Sequence, residues 1–600
     1  MTVDNRNLPP DETSTVVWSP RQTDAVDDVM PPPVTRVEPT RGGGGGPVRW
    51  AIALVVSALV IAFALAGVVL VTGQAAASKL TGYVPAGSVA YGELRLDLPG
   101  DQRQKLGTFL SKFPGFADQS ILDTKLDELL DRTVKAITHD QQDYSTKIKP
   151  WFGGQLGFSV GQLPDVAASS LAPAVRALLI ASVTDGAKAK AWFDSVDKGM
   201  VTTTGSYNGV DLVLAGEGTT KAAFGIDGKV MLVGDEVSVK AAIDTAGAGS
   251  FALDGRFRTA IASISGDSIG WFYVDSGRYF DWLAGQAGKT PGLGLGINLD
   301  QVYRSRIPDW VVFRVQARGD GLAFETVLPA VTTPVKQTNR LSAIAPHLPP
   351  STILVAEGHD VGAIALQAID VYRKNPTTAE AFKQVDQTAS LVGGFDAILG
   401  WMKDASVVVT RNGSAIDAGL VFTSSDRVAG ERLLTTLRSF AVLGGGQSGI
   451  TVRDEAHGDV TITIVDFGDL RARGINASIP GYPVTGHLEI AYASTADLVV
   501  VGVGDTFVKS VLDTPAGSSL ADDSHYKALL DRVGPNNVGS SYVDLTATRE
   551  LLERLGVDNP TQMATYVRDI KPYLLPLDAF IQASVIDGDL NRTTGVLVVK

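Results

Sequence analysis

The sequence contains no cysteine in its 600 residues. Disulfide bonds, thiol nucleophiles and zinc sites with cysteine ligands are therefore all excluded. A chain of this length can hold its fold by core burial alone, so the lack of disulfides is compatible with export from the cell. It fits a bacterial envelope better than a secreted animal protein.

Histidine is scarce. None stands in a His-x-x-x-His or Glu-x-x-His arrangement, so neither a helical metal site nor a cofactor is predicted. The pairs His359-Asp360 and His457-Gly458-Asp459 are typical of turns, and we interpret the histidines as surface or turn residues rather than ligands. The six are His139, His347, His359, His457, His487 and His525.

The chain also lacks an excess of positive charge and a recognisable nucleotide loop. Its net charge of −13 argues against a nucleic-acid partner, because a phosphate backbone binds clustered Lys and Arg. Gly292–Ile297 has alternating glycines without the dinucleotide spacing, and Gly444–Gly449 lacks the lysine of a phosphate loop. Both stretches are predicted to be loops.

The most prominent feature that is present is the apolar stretch Trp50–Thr72. Its twenty-three residues include no Asp, Glu, Lys, Arg or His. At a rise of about 1.5 Å per residue, a helix of this length crosses a hydrocarbon core of about 30 Å. The stretch is predicted to be a transmembrane helix that anchors the chain.

The charges beside this stretch predict its orientation. Arg36, Arg41 and Arg49 precede it, whereas Lys79 follows it. The positive-inside rule then places the N-terminus in the cytoplasm and the remainder outside a plasma membrane that the chain crosses once. The alternative is a signal peptide cleaved near Ala75–Ser78, although the preceding segment and the apolar run are both long for one.

The tail before the anchor is rich in Pro, Gly, acid and Thr, and it is predicted to be disordered because it has little apolar surface to bury. Thr13 and Thr15 lie directly after or near Asp11-Glu12. This acidic pattern resembles segments that bacterial Ser/Thr kinases phosphorylate and forkhead-associated domains bind. A cytosolic kinase or such a domain is therefore a possible partner of the tail, and a solvated acidic patch is the alternative.

The rest of the chain contains two similar series of motifs. Val230–Asp235 followed by Val239–Asp244 corresponds to Leu498–Asp505 followed by Val508–Asp513, each a strand, a Gly-Asp turn and a helix that ends in Asp. Such agreement in order predicts an internal duplication.

Other elements recur in the same order. A Trp leads into a strand at Trp151 and at Trp401, and a later strand contains Tyr273 or Tyr542. Their recurrence indicates a shared packing requirement, because large aromatic side chains dominate burial. Each series closes on an Asp-Gly hairpin, at Asp320-Gly321 and at Asp587-Gly588.

These patterns predict an α+β fold of two tandem homologous domains, each of mainly antiparallel sheet with packed helices. The predicted segments are a disordered cytoplasmic tail (1–49), a transmembrane helix (50–72), a linker (73–81), extracytoplasmic repeat 1 (82–331) and extracytoplasmic repeat 2 (342–600), with a polar joint between the repeats.

Several motifs also resemble a known family. Val84–Tyr91, Pro150–Gly154 and Tyr573–Asp578, behind a disordered tail and a single span, resemble an actinobacterial family of single-pass envelope proteins whose extracytoplasmic domain is of unknown function. The resemblance covers most of residues 80–600. It implies an architecture and a compartment, and it supplies no catalytic residues.

No catalytic constellation is recognisable, so the sequence predicts a non-enzymatic membrane-anchored protein that binds an envelope protein, a wall component or a lipid. One alternative is an envelope hydrolase with paired carboxylates drawn from residues such as Glu93, Glu357, Asp275 and Asp544. Another is a lipid carrier, which a large apolar pocket would favour.

Overall fold

Twenty β-strands form the framework of the part of the chain that the structure, a computed structural model, describes. The described residues are 80–138, 140–161, 176–196, 202–216, 221–245, 251–287, 306–331, 333–374, 376–413, 415–469, 487–555 and 560–600. The strands in the first half are β1 (Ala90–Arg95), β2 (Phe152–Val160), β3 (Ala177–Val183), β4 (Thr202–Tyr207), β5 (Val210–Ala215), β6 (Ala222–Asp227), β7 (Val230–Asp235), β8 (Gly270–Val274), β9 (Val311–Arg318) and β10 (Gly321–Pro329). Those in the second half are β11 (Thr352–His359), β12 (Met402–Asn412), β13 (Ala415–Ser424), β14 (Thr451–His457), β15 (Val460–Asp469), β16 (His487–Ser494), β17 (Leu498–Val503), β18 (Gly539–Asp544), β19 (Leu577–Asp587) and β20 (Leu590–Val599).

The strands of the two halves follow the same spatial order. The first half reads β4-β5-β6-β7-β3-β2-β1-β8-β9-β10. The second reads β14-β15-β16-β17-β13-β12-β11-β18-β19-β20. Every pairing among these described strands is antiparallel, which confirms the prediction of a mixed fold of helices and antiparallel sheet.

The two halves join edge to edge through β10 and β20, so that the described strands form one sheet. Residues Gly321–Pro329 pair with Leu590–Val598 over nine positions. Glu325 lies at the middle of the seam and accepts hydrogen bonds from Arg314 of its own half and from Arg592 of the other. The joint is therefore a continuous backbone ladder reinforced by a shared ion pair.

Helices occupy corresponding intervals between the strands. In the first half they are α1 (Gln102–Leu110), α2 (Leu122–Thr138), α3 (Gly186–Val196), α4 (Glu236–Thr245), α5 (Gly255–Ser263) and α6 (Ser276–Ala287). In the second they are α7 (Val361–Lys374), α8 (Pro376–Ser390), α9 (Gly394–Leu399), α10 (Arg427–Ser448), α11 (Asp505–Leu512), α12 (Ser524–Val533), α13 (Leu545–Leu555), α14 (Pro560–Thr565) and α15 (Lys571–Leu574). Aspartates begin several of them: the Asp426 side chain accepts the backbone N–H of Ala429 at the start of α10, at 3.0 Å.

The recurring aromatic residues are buried, as their repetition predicts. Trp151 and Trp401 are each 3% exposed, and Tyr273 and Tyr542 lie in the main cores of their halves. The core around α1 and α2 also includes Val599 of β20, so packing crosses the seam as well as hydrogen bonding.

The prediction of a loop at Gly444–Gly449 is wrong. Helix α10 continues to Ser448, and the chain leaves the helical region only at Gly449, whose φ of 67° forms a left-handed cap. The flanking helix carries through the glycines, and glycine ends a helix readily because it lacks a Cβ. Gly292–Ile297, the other glycine-rich stretch, lies outside the described residues.

Among the residues that the structure describes, no helix is both long and apolar enough to cross a membrane. The predicted transmembrane stretch Trp50–Thr72 and the phosphorylation candidates Thr13 and Thr15 lie outside those residues.

Candidate functional site

An apolar cleft opens beside α13 in the second half. We call it the α13 cleft, and it lies between α13, the chain from α14 through α15, and the start of β19. Its volume is about 420 Å³. The lining residues are Leu545, Thr548, Arg549, Leu552, Glu553, Met563, Tyr566, Leu574 and Leu577.

The helical repeat of α13 produces one wall of this cleft. Asp544 caps the helix by accepting the backbone N–H of Ala547 at 2.7 Å. Ala547 and Leu551 are buried in a small core with Ile353 of β11. The residues at positions 545, 548, 549, 552 and 553 have the spacing i, i+3, i+4, i+7, i+8, so they form a single stripe along the helix, and this stripe faces the cleft.

Four polar side chains form a network at the cleft. The carboxylate of Glu553 accepts hydrogen bonds from Arg549 Nη1 at 2.9 Å, Lys571 Nζ at 2.9 Å and Tyr566 Oη at 2.8 Å. Burial alone would raise the pKa of Glu553, but the hydrogen bonds from Lys571, Arg549 and Tyr566 outweigh it and lower the pKa to about 2. Glu553 is therefore an anion between two cations. Glu550 lies 3.8 Å from Arg549 and 3.3 Å from Arg411, so it adds one anion and one cation, and the net charge of the whole group is +1.

One donor of this network has no acceptor. The Arg549 Nε–H is buried and has no hydrogen-bond partner among the described residues. An unsatisfied buried donor is costly, about 1–3 kcal/mol, and a bound acceptor would remove that cost.

Apolar side chains are exposed at Leu552, which lines the cleft, and in the segment opposite α13. Leu552 is 62% exposed, and four residues of the segment opposite α13 are between 45% and 49% exposed. Those four are Val567, Ile570, Tyr573 and Leu575. Apolar residues concentrated around a groove mark an interaction site more often than isolated ones do.

Three of the four acids of the hydrolase hypothesis, Glu93, Asp275 and Asp544, have separate partners. Glu93 accepts from Tyr91 Oη at 3.0 Å, and Asp275 forms ion pairs with Arg256 and Arg278. Asp275 also accepts the backbone N–H of Arg278 at the start of α6, as Asp544 does for α13.

Asp275 and Asp544 thus serve as helix caps in corresponding places, and the structure assigns neither to a pair of carboxylates. Glu357, the fourth acid, does lie near a second carboxylate, that of Asp404, and the hydrolase stays a prediction.

The interpretation of His359 as a surface or turn residue is wrong. It ends strand β11 and is 2% exposed, because the strand runs through the middle of the sheet and the sequence pair His-Asp falls at its buried end. With Glu357 and Asp404 it forms a set that we call the acid–histidine cluster, in which one ligand atom from each residue lies within 4.8 Å of the others.

The pKa values of the two carboxylates in the cluster are shifted in opposite directions. Burial raises the pKa of Glu357, and the hydrogen bond from Ser342 opposes it only in part. Burial also acts to raise the pKa of Asp404, but hydrogen bonds from His359 and Arg340 outweigh it and lower the pKa to about 2.

The other histidines fit the interpretation as surface residues where the structure describes their side chains. His457 pairs with Asp513 at 2.6 Å and His525 with Asp578 at 3.1 Å, both near solvent. His139 and the side chain of His487 lie outside the described part.

Sequence reasoning missed both the α13 cleft and the acid–histidine cluster. The stripe spacing on α13 was a detectable signal for the cleft. For the cluster, Glu357 and His359 lie two residues apart on β11 and so share one face of the strand. Asp404 is brought next to them only by the register in which β12 pairs with β11.

The described residues define a protein of packed helices on a continuous antiparallel sheet, with an apolar cleft and a buried polar cluster in its second half. Residues 49–580 match the family described as "Protein of unknown function (DUF3352)", and the chain belongs to that family. The predicted resemblance to a family of unknown function is thereby confirmed, while an actinobacterial origin stays a prediction.

No curated protein matches the chain. Among solved structures it is similar to TP0453 in crystal form I, with 13% sequence identity, over 44% of this chain and 82% of that one, at a TM-score of 0.22.

Proposed function

We propose that this chain is a non-enzymatic binding protein, held at the outer face of the plasma membrane by Trp50–Thr72, and that the α13 cleft takes the acyl chain of an anionic lipid. The observation that carries the proposal is the cleft itself, with apolar walls and a cationic network. Its volume of about 420 Å³ falls within the range of about 300–1,000 Å³ typical of small-molecule pockets.

The walls favour an apolar ligand because Leu545, Leu552 and Leu574 present aliphatic surface that is not covered by other described residues. Each square ångström of apolar surface removed from water contributes about 25 cal/mol. A flexible hydrocarbon chain suits the part of the groove that is lined by leucines and Met563.

The polar network favours a negative headgroup. Arg549 and Lys571 outnumber Glu553 by one charge, and the buried Arg549 Nε–H needs an acceptor. A carboxylate or phosphate oxygen would supply that acceptor and form a charge-assisted hydrogen bond.

The proposed membrane anchor is consistent with a lipid ligand. A single span at residues 50–72 and a short linker at 73–81 would keep the rest of the chain close to the bilayer. We also infer that residues 82–331 and 342–600 are tandem copies of one domain, and the identical strand order of the two halves supports this inference.

The proposal is tested by labelling the full-length protein in membranes with a photoactivatable fatty acid and mapping the adducts by mass spectrometry. We expect adducts on residues 545–577. The change Leu552→Glu should reduce them at least tenfold, because it places a charge on the exposed rim without disturbing a buried residue.

Leu443→Glu is the matched control, since Leu443 is a more exposed helical leucine on α10 that does not line the cleft. Its labelling should equal that of the wild type. An excess of unlabelled oleic acid should compete better than oleyl alcohol, which lacks the carboxylate. Equal labelling of the Leu552→Glu and wild-type proteins would refute the proposal.

A further inference from the structure

The acid–histidine cluster is assembled by two neighbouring strands. Glu357 and His359 are two residues apart on β11 and therefore point to the same face of the sheet. Asp404 on β12 pairs directly with His359 in the antiparallel ladder. Strand alternation and register together bring one imidazole and two carboxylates to a single buried point.

Each carboxylate has one oxygen that the protein holds and one that it leaves open. Ser342 Oγ donates to Glu357 Oε2 at 2.5 Å, while Arg340 and the backbone N–H of Asp360 donate to Asp404 Oδ1. Glu357 Oε1 and Asp404 Oδ2 are buried and have no hydrogen-bond partner among the described residues, while the buried His359 Nδ1 lies 3.2 Å from Asp404 Oδ1.

This pattern matches the surroundings of a metal ligand. In metal sites, outer hydrogen bonds orient the ligating side chains and leave their remaining lone pairs for the ion. Two buried carboxylate oxygens without partners would together cost about twice the roughly 1–3 kcal/mol of a single one. An ion bound by both oxygens, with His359 Nδ1 as a third ligand, would remove that cost.

The first half of the chain has different residues at the positions that correspond to the acid–histidine cluster. By strand pairing, the positions of Glu357, His359 and Asp404 correspond to Glu93, Arg95 and Gln155. There the strand itself supplies a cation, Arg95.

The guanidinium of Arg95 contacts Asp97 at 2.7 and 2.9 Å and lies 3.9 Å from Glu93. Gln155 Nε2 donates to Asp97 at 2.8 Å. In the second half a histidine replaces this arginine and an aspartate replaces the glutamine, and the nearby cation is Arg340, which comes from the segment before β11 and donates to Asp404 from outside the three-residue set.

We propose that Glu357, His359 and Asp404 bind a divalent transition-metal ion of the zinc class, as a structural ion within the second half. One imidazole with two carboxylates suits such an ion, whereas Ca²⁺ and Mg²⁺ prefer ligand sets made of oxygen alone. Arg340 and Ser342, which hold the outer oxygens, belong to the segment that leads into β11, so the ion would also fix that segment.

The test uses the untagged full-length protein, stripped with a chelator and equilibrated with buffered Zn²⁺ at micromolar free concentration. We expect about one tightly held zinc per chain by elemental analysis and a higher thermal unfolding midpoint than in the stripped protein. Replacement by Co²⁺ should give a visible absorption band that reports nitrogen and oxygen ligands.

His359→Gln and Glu357→Gln should each abolish tight binding and the rise in midpoint. His525→Gln is the matched control, because His525 also faces an aspartate but belongs to no cluster of three ligands among the described residues. It should retain one zinc.

Because a buried variant can fail to fold, the wild-type titration and its cobalt spectrum stand as an independent readout. A wild-type protein that holds no zinc after equilibration, or a folded His359→Gln protein that holds as much as the wild type, would overturn the proposal. So would tight binding of Mg²⁺ or Ca²⁺ in place of zinc.

Discussion

The close packing of backbone at the seam predicts that adding one methyl group at Gly321 destabilises the fold. Gly321 is the first residue of β10 and pairs with Val598 across the seam. A Cβ added at Gly321 would overlap the carbonyl oxygen of Leu597 and lie 3.0 Å from the carbonyl carbon of the same residue. These are backbone atoms of β20, so no rotation of a side chain can relieve the overlap.

The expected cost of Gly321→Ala follows from this geometry. The φ of Gly321 lies outside the left-handed region, so backbone strain adds little and the overlap dominates. Strand β20 would have to move away, and overpacking of this kind costs about 1–3 kcal/mol. We expect the free energy of unfolding of the full-length protein in urea, followed by tryptophan fluorescence, to fall by that amount.

The control is a strand glycine in open space. Gly205 in β4 has no atom within 4 Å of an added Cβ, so Gly205→Ala should change the free energy of unfolding by less than about 0.5 kcal/mol. Hydrogen exchange should also speed up in β10 and β20 of the Gly321→Ala protein and not in that of Gly205→Ala. If the two variants unfold alike, β10 and β20 are not paired as described.

Three further predictions concern single side chains. The pKa of Glu553 is lowered to about 2, so its ion pairs add stability that is complete above its unfolded pKa of about 4.3 and is lost as the pH falls toward 2. Between pH 6 and pH 2 the thermal unfolding midpoint should therefore drop more for the wild type than for Glu553→Gln. Parallel curves for the two proteins would contradict this. Trp401→Ala should cost about 3–5 kcal/mol in urea unfolding because the ring is buried, whereas Phe440→Ala on the exposed side of α10 should cost less than about 1 kcal/mol. Asp426→Ala should remove the cap of α10 and cost about 1 kcal/mol, with Asp426→Asn, which retains the acceptor, as the control that keeps most of it.

Local elements were predictable from the sequence because their causes are local. The hairpin at Asp587-Gly588 forms at the predicted place, since the turn residues fix it. Helix α13 spans Leu545–Leu555, and its causes, the apolar spacing and the cap at Asp544, lie within or beside the segment itself.

The joining of the halves could not be predicted in the same way. Strands β10 and β20 are separated by more than 250 residues, and the sequence of neither strand indicates that it pairs with the other. The pairing is decided by which edges remain open once each half has formed, and that is a property of the assembled sheet.

The candidate sites show the same limit. The stripe along α13 is visible in the sequence, but its opposite wall depends on where the chain returns at Leu574 and Leu577. His359 was assigned to the surface because a His-Asp pair is common in turns, and only the position of β11 between β18 and β12 reveals its burial.

The pairing of β10 with β20 has a consequence for the history and the engineering of the chain. Each strand is the outermost of its half, and the ladder is symmetric: the first residue of β10 meets the ninth of β20, and the first of β20 meets the last of β10. Subunits of symmetric homodimers meet in this isologous manner. A half expressed alone would present a bare edge that is complementary to itself, so we expect it to assemble as a twofold dimer that reproduces the seam without the covalent connection.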